Sequence, residues 1–86
     1  GPPPGSEAEE SAFMRAMHGT YGDEVVVAVA KHISTPPETL AELARDRDAE
    51  VRCAVARNAN TPDAVRHALG DDPDDKVRRA AGDAST

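Results

Sequence analysis

Three histidines, one cysteine and one acidic run are the residues of this 86-residue sequence whose types invite chemistry. His32 and His67 lack a cysteine or carboxylate at the spacing of a metal-ligand pair. With His18 they read as solvated side chains or as partners for helix C-termini. Asp71-Asp72-Pro73-Asp74-Asp75 has the carboxylate density of a calcium loop. It lacks the glycine and the distal glutamate of an EF-hand, so helix capping is its better reading. Cys53 needs a neighbouring general base to act as a nucleophile, and its own stretch supplies none. The sequence therefore points to no catalytic residue, no metal site and no cofactor, and reads as non-enzymatic.

The elements that would position such residues are constrained by composition. Charged residues make up 30 % of the chain, the net charge is −6, and Phe13 and Tyr21 are the only aromatics. Few rings and sixteen alanines point away from β architecture and towards short, closely packed helices. The acidic balance repels phosphate backbones and disfavours nucleic acid as a partner. A single cysteine allows no internal disulfide, which fits a reducing, cytoplasmic setting. No apolar run approaches the ~20 residues needed to span a bilayer. Gly1 to Gly5 are expected to be a disordered tag or linker, and the native protein is expected to be longer at both ends.

An ungapped period of 26 residues runs through the chain. It aligns Val25, Ala28, Val29, Ala30 and Thr35 with Val51, Ala54, Val55, Ala56 and Thr61, all identical. It then matches Leu43 to Leu69, Asp46 and Asp48 to Asp72 and Asp74, and Val51-Arg52 to Val77-Arg78. Each period reads as two short helices. Thr35-Pro36-Pro37-Glu38 predicts a threonine N-cap and a capping box, followed by Leu40, Leu43 and Ala44 at helical spacing. Asp48 caps the second helix, whose stripe is Val51, Ala54 and Val55. Gly70 is expected to end the first helix of the third copy.

A divergent first unit carries a capping box at Ser6 and Glu9, then Phe13, Met14 and Met17 ahead of Gly19. The expected organisation is a helical-repeat domain over 6–83, with units 6–34, 35–60 and 61–83, and a tail over 84–86. Helices of about ten residues are marginal alone and gain stability by stacking. Val25, Val51 and Val77 should form one buried row, and Leu43 with Leu69 another.

The run from Ser34 to Asp46, with Val51-Arg52 and Ala54-Val55-Ala56-Arg57-Asn58, resembles the leucine-rich repeat variant family of bacterial repeats. The resemblance is good over 24–83 and weaker over 6–23. It implies an all-α, right-handed solenoid in the style of HEAT repeats, and a scaffold for interaction. The iron–sulfur segment of some members has no match here, because Cys53 stands alone. The third copy departs from the pattern, with Arg66 at the Leu40 position and Gly82 at the Ala56 position.

The same offset places Lys31 beside Arg57 and Arg52 beside Arg78, and Arg79 extends this basic ladder. Acid at helix starts and base at helix ends also complement helix dipoles. The expected function is a protein–protein docking module from a larger bacterial protein, binding through Lys31, Arg52, Arg57, Asn58, Arg78 and Arg79, with Glu38 and Glu42 on the other helix. The expected partner is a protein, such as an acidic segment or another domain of the same system. A homodimer through the apolar stack ends, with Val77, Ala80 and Ala81, is the further option. The alternative function is a nucleic-acid-binding helical repeat that uses the same basic strip.

Overall fold

Turn chemistry decides where the helices of this chain begin and end. A computed structural model describes residues 12–85. It contains α1 (Ala12–Thr20), α2 (Asp23–Lys31), α3 (Pro37–Leu43), α4 (Ala49–Arg57), α5 (Asp63–Leu69) and α6 (Asp75–Ser85). The described residues include no strand. The readings for Gly1 to Gly5 and for the Ser6–Glu9 capping box lie outside these residues.

The second helices start as expected. Asp48 accepts the Glu50 amide at 2.9 Å and Asp74 accepts that of Lys76 at 3.0 Å, each satisfying a donor left open at a helix N-terminus. One turn earlier, Asp46 and Asp72 accept the amides of Asp48 and Asp74 at 2.8 and 2.9 Å. The acidic pairs are therefore linked side-chain turns.

The first helices start differently from the expectation. Pro36 and Pro62 occupy the N-caps of α3 and α5, with no side-chain cap. The Thr35 and Thr61 hydroxyls turn inward and donate to the carbonyls of Val29 and Val55, at 2.5 and 2.6 Å. Both threonines are buried. They add a second donor to the last turn of the preceding helix, where the same two carbonyls also accept the amides of His32 and Asn58, and the capping box with Glu38 does not form. Gly70 does cap α5, in the right-handed helical region and not the left-handed one.

The first unit is the irregular one. α1 runs through Gly19 to Thr20, the position equivalent to Asp46, so no acidic turn follows it. The chain instead reverses through Gly22, at φ +84°, a conformation that glycine adopts without a steric penalty.

α4 lies between α2 and α6, α3 and α5 pack on α4, and α1 touches α2 and α3. The core holds Val26, Ala30, Leu40, Leu43, Val51, Ala54, Val55, Ala56, Leu69, Val77, Ala80 and Ala81. The Leu43–Leu69 and Val51–Val77 positions are buried as expected. Val25 is not: it is 44 % exposed, while Val26 takes its place inside. Val25 and Ala28 sit on a face that α1 leaves uncovered. Val77, Ala80 and Ala81 are buried within the chain, so they form no exposed apolar end. Among the described residues the exposed large apolar side chains are Phe13, Tyr21, Val25 and Ile33, all within the first unit.

Candidate partner-binding surface

The arginines of the expected strip divide into those that hold the fold and those that face water. Arg52 belongs to the first group. Its Nε and Nη2 donate to the two carboxylate oxygens of Asp72 at 2.8 and 3.2 Å, and Nη1 donates to the Asp46 carbonyl at 2.7 Å. The fork geometry of guanidinium suits this two-oxygen contact. Only 15 % of the Arg52 side chain and 7 % of the Asp72 side chain are exposed. Arg52 thus clasps the turn before α4 to the turn before α6, and it leaves the surface strip.

Asn58 leaves it too. It is buried, its amide donates to the carbonyls of Ala30 and His32 at 2.9 Å each, and its oxygen accepts the Asn60 amide at 2.8 Å. Asn60 adds a bond to the carbonyl of Ile33. The turn after α4 is laced in this way to the end of α2.

Arg66, the departure from the repeat pattern, has a structural reason. Its Nε and Nη2 donate to the carbonyls of Ala56 and Asn58 at 3.3 and 2.8 Å. These are the counterparts, one period on, of the carbonyls that Asn58 closes. The counterpart of Asn58 itself is Ala84, which has no side-chain donor. Arg66 supplies the missing donors.

Lys31, Arg57 and Arg79 remain on the surface. Arg79 pairs with Asp75 at 2.9 Å, whereas Lys31 and Arg57, in the last turns of α2 and α4, form no ion pair with another described residue. Arg78 is intermediate: Nη1 holds the Asp72 carbonyl at 2.7 Å, as Arg52 holds that of Asp46, and Nη2 meets Asp75 at 3.2 Å. Lys76 and Glu50 face each other at 2.5 Å across α6 and α4, which raises the lysine pKa and lowers that of the glutamate.

His32 and His67 are exposed, as the sequence suggested, but His18 is not a solvated histidine. Only 8 % of its side chain is exposed, and it bridges Asp23 and Asp46. Cys53 lies at the core edge, where burial and then the Glu50 charge push its thiol pKa up, away from the reactive thiolate. The described residues contain no group of three or more His, Cys, Asp or Glu able to hold a metal ion, and no helix long and apolar enough to cross a membrane.

A feature that sequence reading missed lies between α3 and α5. Ala41 and Ala44 face Ala64, Val65, Ala68 and Leu69 across a groove of about 480 Å³, with Arg45 and Asp71 also lining it. The only signal was the alanines themselves, and the period hides it: Ala41 and Ala44 correspond to His67 and Gly70, and Ala64 and Ala68 to Glu38 and Glu42, so the two helices line the groove from different repeat positions. The volume lies within the ~300–1,000 Å³ range of ligand-sized clefts.

No curated protein and no solved structure matches the chain. A family model does: residues 49–74 match the leucine rich repeat variant, a segment from the start of α4 to the turn before α6. That segment includes both Arg52 and Asp72. The resemblance drawn from the repeat pattern is borne out there: residues 49–74 are similar to the leucine rich repeat variant, and the described residues fold as helices and turns.

Proposed function

We propose that the chain is a non-catalytic protein-docking module, built as a right-handed, HEAT-like stack of three two-helix units. The observation that carries this reading is the α3–α5 groove, a concave and largely apolar surface left open between the first helices of two neighbouring units. Leucine rich repeat variant units serve generally in protein–protein interaction, which supports the same conclusion. The partner is a protein segment that places small apolar side chains in the groove and carries acid where it meets Lys31 and Arg57. A bacterial, cytoplasmic origin belongs to the same proposal, as does a self-association surface around Phe13, Tyr21, Val25 and Ile33.

The test is capture of partners with the whole chain as bait, at low and high salt, beside an Ala64→Arg/Ala68→Arg variant. Both alanines are exposed groove residues, so the helical signal should persist while capture is lost. A partner held equally well by the variant would remove the groove from consideration.

Nucleic-acid binding is the second reading, favoured by the unpaired charges of Lys31 and Arg57. It predicts salt-labile DNA or RNA binding that disappears in Lys31→Glu/Arg57→Glu. Changing Arg52 and Arg78 together would not discriminate, because Arg52 holds the fold.

A further inference from the structure

His18 stands where the stack changes its way of closing a buried carboxylate. In the later units Asp72 is held by the permanent positive charge of Arg52. The residue equivalent to Arg52 one period earlier is Val26, which is buried and apolar, so Asp46 has no such arginine. His18 reaches it from α1, with Nε2 2.6 Å from Asp46 Oδ2 and Nδ1 2.6 Å from Asp23 Oδ1. Asp46 is fully buried as a side chain and Asp23 is largely exposed. Asp23 on α2 and Asp46 after α3 are the charged groups that face the imidazole from the two helices packed on α1.

We infer that His18 is a pH-sensitive latch that fastens α1 to α2 and α3 when its ring is protonated and lets α1 loosen when the ring is neutral. An imidazolium donates from both nitrogens, and both of its acceptors here are carboxylates. A neutral ring keeps one N–H, so one carboxylate then faces a lone pair at hydrogen-bond distance. With the N–H on Nδ1 the buried Asp46 keeps only the Asp48 amide as a donor; with it on Nε2 the bond to Asp23 is lost and no opposite charge remains against the buried Asp46. Undocking α1 restores its solvation, and it uncovers Met17 and the apolar surface that Met17 packs against.

The direction of the titration agrees with this. Burial by itself lowers the His18 pKa, but the hydrogen bonds and charges of Asp46 and Asp23 outweigh it and raise the pKa above the usual 6.5. A raised folded-state pKa gives a contribution that is complete below 6.5 and is lost as pH rises through the folded value. The latch is therefore closed in mildly acidic solution and opens on the alkaline side of 6.5.

The test is amide hydrogen exchange of the whole chain between pH 6 and 9, corrected for intrinsic rates, alongside an NMR titration of the His18 ring. The expected result is an α1 opening equilibrium that is flat below pH 6.5, rises above it by up to about tenfold per pH unit, and levels off once the folded-state ring is neutral, while α4 and α6 stay protected. His18→Gln, which cannot titrate, should show no such step. A wild-type α1 whose protection is flat while the ring titrates would overturn the latch, as would a His18→Gln variant with the wild-type pH profile. If His18→Gln does not fold, the wild-type comparison of ring and α1 amides still decides.

Discussion

Arg52 and Arg57 lie five positions apart on one helix and do opposite things. Arg57 points into water, so Arg57→Ala should change stability by less than about 0.5 kcal/mol. Arg52→Ala strips the partner from a buried Asp72 and frees the Asp46 carbonyl. Removing one member of a buried pair typically costs about 3–5 kcal/mol, so urea denaturation should show a collapse of the midpoint for this variant alone. Arg52→Lys should recover only part of the loss, since an ammonium cannot span both oxygens of Asp72. None of this was legible in the sequence. The repeat frame sets Arg52 beside Arg78, a lateral neighbour, whereas the side chain reaches diagonally to a turn in the next unit. His18 was hidden for a related reason: its acceptor Asp46 belongs to the regular pattern, but α1 does not.

For the helices, the period and its acidic turns were readable because an aspartate beside a helix start has one dominant local use, closing amides nearby. The threonines misled for the converse reason. A hydroxyl can serve the helix behind it as well as the one ahead, and here the burial of Thr35 and Thr61 selects the one behind. Arg66 gives the sharpest test at this scale. Restoring the leucine of the preceding unit, Arg66→Leu, looks like a repair of the pattern. It should instead destabilise by about 1–3 kcal/mol, because the end of α4 loses its donors at Ala56 and Asn58. A thermal melt at or above that of the wild type would show that the two carbonyls are satisfied without the guanidinium.

For the whole molecule, few large apolar side chains do the packing: Leu40 and Leu43 are the largest fully buried ones. Small cores rarely yield more than about 3–5 kcal/mol, and a buried Leu→Ala change removes about 2–5 kcal/mol. Leu43→Ala should therefore leave the chain largely unfolded at room temperature by circular dichroism. The buried rows were foreseen except at Val25, since periodicity reports which face is apolar and not whether a neighbour arrives to cover it. The straps described above run in both directions, Arg52 forward to Asp72 and Asn58 back to Ala30 and His32. An insertion or deletion of one residue between either pair would pull donor from acceptor, however polar and exposed the loop it fell in. Such a chain can lengthen or shorten in evolution only by whole periods, so that its size is inherited in discrete steps and its loops are barred from the gradual drift that surface loops usually enjoy.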